Sequence, residues 1–219
     1  MEKIDAVIFD LEGVVIDSEP IWTKADLIFL KNHGVEISSE EYGAGIKQLL
    51  MGLVLRDGIA LMKKYYGFPE DPVALAEERR GIVRSLFGDE VTFIPGFVEF
   101  HRGIRDTYQT AVATSLERYF LASLDRKLEL SERFKGNLHS VEDIGFISKP
   151  DPAIFLHAAR VLQVNPQNCL VIEDAPNGIE AARRAGMRCI ALTTSSPRER
   201  LMKADLIVDR YEEVDLGKL

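Results

Sequence analysis

Two carboxylates separated by one residue stand directly after a short apolar run near the start of the chain. Ala6 to Phe9 is followed by Asp10 and Glu12, and Gly13 comes next. An uninterrupted apolar run is typical of a strand that is covered on both faces of a parallel sheet. Residues just after such a strand lie at its carboxyl end, where open parallel sheets bind their ligands. Asp10 and Glu12 are therefore candidates for chemistry.

Further polar groups stand at comparable positions later in the chain. They are Thr114 and Ser115, then Lys149, then Glu173 and Asp174. Each group alone is typical of a helix cap, a turn or a solvated surface. Together they would bring carboxylates, hydroxyls and one ammonium group to the same edge of a sheet. Because clustered carboxylates repel one another unless a cation lies among them, this donor set of hard oxygens without histidine favours Mg²⁺.

The elements that would position these groups alternate between strand and helix. Apolar runs that predict buried strands occupy residues 6–9, 110–113, 169–172, 189–193 and 206–208. Between them, residues 152–163 and 177–185 carry apolar side chains at helical spacing, and Gly186 stands where the second helix should end. Repeated strand–helix–strand units predict an α/β fold, a doubly wound, Rossmann-like parallel sheet with right-handed crossovers.

Residues 18–88 interrupt this alternation. Helical patterns cover residues 21–31, 45–66 and 73–86, and no convincing strand lies among them. We therefore expect an α/β core domain formed by residues 1–17 and 89–219, with a small helical cap domain, residues 18–88, inserted after the first strand.

Composition narrows the class of partner and the compartment. The chain has 219 residues and a net charge of −8, which disfavours binding to nucleic acid or to an anionic membrane surface. Its first residues are charged, and no uncharged stretch approaches the ~20 residues of a membrane span. We expect a cytoplasmic protein whose partner is a small molecule.

Four ordered motifs resemble those of the haloacid dehalogenase superfamily, in its branch of β-phosphoglucomutase-like and phosphoglycolate-phosphatase-like proteins. The first family motif, DxDGxxxDSE, is matched by residues 10–19. The second is an apolar strand ending in Thr or Ser and is matched by residues 111–115, and a lysine in a KPxP setting is matched by residues 148–152. The fourth, EDSxxGxxAAxxAG, is matched by residues 173–186, so the resemblance covers almost the whole chain.

The resemblance implies a Mg²⁺-dependent phosphatase that acts on a small phosphorylated metabolite, such as a sugar phosphate. Asp10 would be the nucleophile that forms an aspartyl-phosphate, and Glu12 would be the general acid and base. Thr114, the amide of Ser115 and Lys149 would hold the transferring phosphoryl oxygens.

The resemblance also implies a metal-ligand set and contacts to the leaving group. Mg²⁺ would be held by Asp10, the backbone carbonyl of Glu12 and Asp174, with Glu173 beside it or acting through water. The substrate would further contact Trp22 and Arg56 from the cap and Arg118 from the core. We expect a monomer, with a dimer as the alternative.

Three departures from the family pattern leave alternatives open. Glu12 stands where phosphatases carry Asp, so either the acid/base is slightly misplaced or the pocket has adjusted to the longer side chain. Trp22 stands where mutases carry histidine. Leu55 stands where mutases carry an arginine, counted from Gly52, although Arg56 is adjacent. The alternatives to a phosphatase are a phosphosugar mutase and a catalytically impaired relative that binds a phosphorylated ligand.

Overall fold

A parallel sheet of six strands forms the centre of this computed structural model, which describes residues 3–50, 53–86 and 91–218. The strands of the described residues are β1 (Ala6–Phe9), β2 (Ile16–Asp17), β3 (Thr92–Phe93), β4 (Gln109–Thr114), β5 (Leu138–Ser140), β6 (Cys169–Glu173), β7 (Arg188–Leu192) and β8 (Leu206–Val208). The parallel sheet has the order β5-β4-β1-β6-β7-β8, and β2 pairs with β3 in a separate antiparallel ribbon. β1 thus lies in the middle of the sheet, between β4 and β6.

Helices cover both faces of the sheet. The α-helices of the described residues are α1 (Glu19–Asn32), α2 (Ser39–Ala44), α3 (Lys47–Leu50), α4 (Leu55–Tyr66), α5 (Pro72–Leu86), α6 (Phe97–Ile104), α7 (Arg118–Leu128), α8 (Leu130–Arg133), α9 (Ala153–Leu162) and α10 (Pro176–Arg184). None of these helices has the length and apolar character needed to cross a membrane.

Alternation along β1 explains the two layers of helices. Val7 and Phe9 belong to an apolar cluster that includes Phe97 of α6, whereas Ala6 and Ile8 belong to a second cluster on the opposite face, with α9 and α10. Successive side chains of a strand point to opposite faces, so an all-apolar run is buried on both. The predicted doubly wound α/β fold is confirmed.

Helices α1–α5, the helical insertion, have an apolar cluster of their own. Its fully buried members are Phe29 and Leu30 of α1, Ile59 and Met62 of α4, and Ile46, which lies between α2 and α3. β2 enters the insertion and β3 leaves it, and the two strands pair with each other (Ile16 with Phe93, Asp17 with Thr92). The predicted division into a core and a cap domain stays a prediction, and its boundary at residues 88/89 lies outside the described residues.

The elements that the sequence pattern missed or merged are short or irregular. The predicted helix over residues 45–66 is wrong as one element, because α3 ends at Leu50 and Val54, directly before α4, is extended. Gly52, from which the mutase-type arginine position was counted, lies outside the described residues. β5 has three residues, and β2 and β3 have two each, so their sequence patterns are too short to be distinguished from loops.

Candidate active site

The carboxyl ends of β1, β4 and β6 bring most of the predicted site residues together. Phe9, the last residue of β1, pairs with Val112 of β4 and with Ile172 of β6. Asp10 therefore follows β1 between the end of β4, which is Thr114, and the end of β6, which is Glu173. This is the sheet edge at which the sequence predicted a ligand site.

Lys149 joins two of the carboxylates. Its Nζ lies 2.5 Å from Asp10 Oδ1 and 2.7 Å from Glu173 Oε1, and its side chain is 1% exposed. Burial alone would lower the pKa of Lys149, but contact with Asp10 and Glu173 raises it above its usual value. The ammonium group is therefore charged at neutral pH and is held at a fixed place by two carboxylates.

Glu173 is held by its neighbours on both sides. Its Oε2 accepts hydrogen bonds from the backbone amides of Asp174 (2.8 Å) and Ala175 (2.9 Å), at the start of α10. Its carboxylate lies against Gly178, where a Cβ would come within 1.7 Å of Glu173 Oε1. Both oxygens of Glu173 are thus engaged within the protein, one of them in orienting Lys149. Its predicted place beside the metal stays a prediction.

Asp10 and Asp174 crowd negative charge into a buried space. Burial raises the pKa of Asp10 to about 7, against the opposing effect of Lys149. Burial, then Glu173 and Asp10, raise the pKa of Asp174 well above its ordinary value. One ammonium group does not balance these carboxylates, and a divalent cation bound to oxygen would. The donor set therefore fits Mg²⁺, and the assignment of Asp10 and Asp174 as its carboxylate ligands stays a prediction.

Gly13 lets the chain pass close to this carboxylate pair. Its φ is +74°, and a Cβ at this position would come within 1.9 Å of Asp174 Oδ2 and 2.4 Å of Ser195 Oγ. Any other residue would be strained by the backbone conformation and would fill the space beside Asp174. The loop after β1 can follow this path only with glycine here.

Thr114 and Ser115 lie at the end of β4, on the other side of Asp10. Thr114 is 1% exposed, and its Oγ1 accepts a hydrogen bond from the amide of Leu116 at 3.1 Å. Ser115 lines the cavity described below. The structure thus places both residues at the predicted edge, and their contact with phosphate stays a prediction.

Glu12 is directed toward the helical insertion. Its Oε1 accepts hydrogen bonds from Ser18 Oγ, at 2.9 Å, and from Trp22 Nε1. Burial raises the pKa of this carboxyl, although the two hydrogen bonds oppose the shift. Ser18 was not predicted as a site residue. Trp22 was predicted only to contact substrate, and its indole N–H also holds Glu12.

A cavity between the sheet edge and the helical insertion is lined by these groups and by a polar set from the insertion. The predicted residues that line it are Asp10, Glu12, Trp22, Ser115, Glu173 and Asp174. The insertion adds Glu19, Thr23, Asp26, Tyr42, Lys47, Arg79 and Arg80. Sequence reasoning missed this second set because polar residues of a helix usually face solvent.

Two predicted substrate-binding arginines lie elsewhere. Arg56 is exposed, with its Nε 3.1 Å from Asp57 Oδ1. Arg118 is exposed as well, and its guanidinium is paired with Asp143 beyond β5. Neither is among the described residues that line the cavity. The structure therefore offers no contact that would support their predicted role.

Comparisons with known proteins agree with this geometry. The family model of the haloacid dehalogenase-like hydrolases matches residues 4–186. In the relative named SUPPRESSOR OF QUENCHING 1, from Arabidopsis thaliana, 200 residues are 32% identical; they cover 88% of this chain but only 18% of that protein. Two phosphatases of Escherichia coli match over most of their length. The 6-phosphogluconate phosphatase is 29% identical, and the match covers 85% of this chain and 81% of that enzyme. The fructose-1-phosphate phosphatase is 30% identical, and the match covers 86% of this chain and 96% of that enzyme.

The solved structures show the same architecture. The β-phosphoglucomutase of Clostridium difficile superposes with a TM-score of 0.81, at 27% identity, over 98% of this chain and 95% of its own. The family model covers most of the chain, and the two E. coli relatives named above, which match over most of their length, are phosphatases. The chain therefore belongs to the haloacid dehalogenase-like hydrolases.

Proposed function

We propose that this protein is a Mg²⁺-dependent phosphatase that releases phosphate from a small phosphorylated sugar or polyol through an aspartyl-phosphate on Asp10. The observation that carries the proposal is the buried contact of Asp10 with Lys149, at 2.5 Å, beside the crowded carboxylate of Asp174. A carboxylate at this position can act as a nucleophile, and the fixed ammonium group provides positive charge for phosphoryl transfer. The named activities of the two E. coli relatives support the same class of reaction.

In the first step of the proposed reaction, the phosphoryl group is transferred from the substrate to Asp10. An oxygen of Asp10 forms a bond to phosphorus while the bond from phosphorus to the leaving oxygen breaks. Lys149, Thr114 and the amide of Ser115 hold the phosphoryl oxygens during this transfer. When bound, Mg²⁺ supplies further positive charge that offsets the charge developing on these oxygens.

Glu12 would carry the proton in both halves of the reaction. Burial raises its pKa, which favours the protonated form that can donate to the leaving oxygen. The ionised carboxylate left behind then accepts a proton from the water that attacks phosphorus. That attack breaks the bond to Asp10, releases phosphate and restores the protonated Glu12.

The charges that line the insertion side of the cavity favour an uncharged leaving group. Each of its three cations is already paired with a carboxylate: Lys47 with Glu19, Arg79 with Asp26 (2.5 Å), and Arg80 with Glu117 (2.8 Å). In the described part of the chain, no unpaired cation lines this side for a carboxylate on the leaving group. Hydroxyl groups can instead bond to those polar atoms of these ion pairs that line the cavity.

Replacement of Asp10 by Asn tests the covalent mechanism. Asp10→Asn keeps the shape of the side chain but removes the nucleophile, so release of phosphate from fructose 1-phosphate with Mg²⁺ should be abolished. Asp106→Asn, an exposed residue outside the cavity, is the matched control and should retain full activity. Steady-state turnover by purified Asp10→Asn would exclude the aspartyl-phosphate.

A substrate pair tests the proposed leaving group. We expect a higher kcat/KM for fructose 1-phosphate than for 6-phosphogluconate, whose leaving group carries a carboxylate. Glu19→Gln removes the negative charge that pairs with Lys47, while the contact of Lys47 with Thr23 remains. The ratio of the two kcat/KM values should then fall by about tenfold, the worth of one charge-assisted hydrogen bond. A preference for 6-phosphogluconate in the unmodified protein would refute the leaving-group argument while leaving the phosphatase assignment intact.

A phosphosugar mutase is the second candidate, favoured by the likeness to the β-phosphoglucomutase of C. difficile. Such an enzyme must protect the aspartyl-phosphate from water while the sugar turns. Conversion of β-glucose 1-phosphate to glucose 6-phosphate faster than release of phosphate would replace the phosphatase proposal. Binding of phosphorylated sugars without either reaction would instead favour the impaired relative.

A further inference from the structure

A second group of metal-binding side chains lies outside the cavity, next to the outer strand of the sheet. His139 is on β5, Asp143 is on the 3₁₀ turn Val141–Ile144 that follows it, and His157 is on α9. One ligand atom from each of the three residues lies within 4.8 Å of the other two. Three separate elements therefore bring two imidazoles and one carboxylate close together.

One member of this group has a buried polar atom without a partner. His139 is 6% exposed, and its Nε2 has no hydrogen-bond partner in the described part of the chain. Buried polar atoms in native proteins are nearly always satisfied, and an ion is one of the partners that satisfies them. The ring of His139 packs against the ring of His157, with 5.0 Å between their centroids.

We propose that His139, Asp143 and His157 form a site for a divalent transition-metal ion of the zinc type. Imidazole nitrogens together with one carboxylate suit Zn²⁺, whereas the all-oxygen cluster around Asp10 suits Mg²⁺. Tetrahedral bonds of about 2.0–2.2 Å would bring the ligand atoms to about 3.3–3.6 Å from one another, up to about 1.5 Å closer than their present limit of 4.8 Å. Asp143 is exposed and His157 is half-buried, so both side chains have room to make this adjustment.

Two surface arginines contact the side chains that would bind the metal. The guanidinium of Arg118 pairs with Asp143, and Arg160 Nη2 lies 3.1 Å from His157 Nδ1. Because a guanidinium only donates, His157 Nδ1 is the acceptor in the second contact. A neutral imidazole has one nitrogen lone pair, so a metal ion and Arg160 compete for it on His157, and the ion would displace an exposed side chain at little cost.

Titration of the full-length protein with ZnCl₂ tests the site, with Mg²⁺ present at saturation to occupy the acidic cluster. His157→Ala should weaken Zn²⁺ binding by at least about 10–100-fold, the loss found for residues that only support metal ligands. Asp143→Asn, which keeps the side-chain shape, should weaken binding as well. Arg160→Gln should strengthen it, because the competing guanidinium is removed.

His33→Gln provides the matched control, because His33 also contacts two carboxylates, Glu70 and Glu78. This variant should bind Zn²⁺ as the unmodified protein does. Anomalous scattering from zinc-soaked crystals should place the ion between His139 and His157. Unchanged affinity in His157→Ala, a loss in His33→Gln instead, or zinc found only beside Asp10 would each overturn the proposal. All of these readouts are independent of phosphatase activity.

Discussion

Replacement of Glu12 by Asp tests whether the pocket is built around the longer side chain. The sequence left two possibilities, a slightly misplaced acid/base or an adjusted pocket. The structure favours the second, because Ser18 Oγ and Trp22 Nε1 both bond to Glu12 Oε1. Aspartate is shorter by one methylene, about 1.5 Å, so its carboxylate cannot reach these donors without a shift of the loop. We expect Glu12→Asp to lower kcat.

The size of the loss follows from the contacts that are broken. Stretching the 2.9 Å hydrogen bond from Ser18 by ~1 Å takes it out of bonding range. A hydrogen bond to a charged group contributes about 1.5–3 kcal/mol, and a displacement of ~1 Å at a reacting group can cost ~10² in rate. Glu12→Asp should therefore lower kcat by about 10–100-fold. Glu12→Ala, which removes the proton carrier, should lower it by about 10²–10⁴-fold.

Steady-state release of phosphate from fructose 1-phosphate at saturating Mg²⁺ measures both variants. Trp22→Phe supplies the companion variant, since it keeps an aromatic ring and removes the N–H that holds Glu12. If that N–H orients the carboxylate, Glu12→Asp should cost less in the Trp22→Phe background than in the unmodified protein. A rise in kcat for Glu12→Asp, or equal activity of the Glu, Asp and Ala forms, would refute this reasoning.

Three further predictions concern the charge cluster. Folding raises the pKa of Asp10 from 3.8 to about 7, so the metal-free protein loses stability as the pH rises between these values. Mg²⁺ binds the ionised carboxylate, so the increase in Tm on adding Mg²⁺ should be larger at about pH 8 than at about pH 5. An equal increase at both pH values would contradict the assignment of Asp10 as a metal ligand. Asp174→Ala should raise the Mg²⁺ concentration needed for half-maximal activity steeply, as measured by metal titration, and an unchanged requirement would mean that Asp174 is not a ligand. Gly178→Ala places a Cβ 1.7 Å from Glu173 Oε1, so it should lower stability by about 1–3 kcal/mol in urea unfolding and should also reduce kcat. The control Gly81→Ala meets no atom within 4 Å and should be neutral or stabilising.

The core could be predicted because its signals are local. The run of residues 6–9 is apolar on both faces, and the structure gives β1 these bounds, in the middle of the sheet. The groups after β1, β4 and β6 meet because neighbouring parallel strands end at the same edge. Lys149 reaches this edge from a loop, as its position in the sequence predicted, but its contacts with Asp10 and Glu173 were not predicted, because spacing does not show which side chains a loop residue meets.

The insertion side of the site could not be predicted in the same way. Asp26 of α1 and Arg79 of α5 are 53 residues apart, yet they form a buried ion pair with Tyr42 bonded to the same carboxylate. Helical spacing shows which residues share a face of one helix but not which helices meet. Polar residues on such a face are read as solvated unless their partner is known. The sequence likewise did not show whether Arg56 and Arg118 lie near the site. The structure places both side chains on the surface, paired with Asp57 and Asp143.

The contacts that join the insertion to the core stand next to the residues that we expect to hold phosphate. Ser148, which precedes Lys149, accepts a hydrogen bond from the amide of Val54 at 3.2 Å, and Arg80 of the insertion pairs with Glu117, two residues after Ser115. Ile21 and Ala25 of α1 and Val83 of α5 also belong to the buried apolar cluster that contains Val7 and Phe9, so the insertion packs against the core as well. Trp22 packs against the same cluster while its indole N–H donates to Glu12 Oε1. These contacts therefore tie the position of the insertion to the orientation of the carboxyl that we propose as the acid/base.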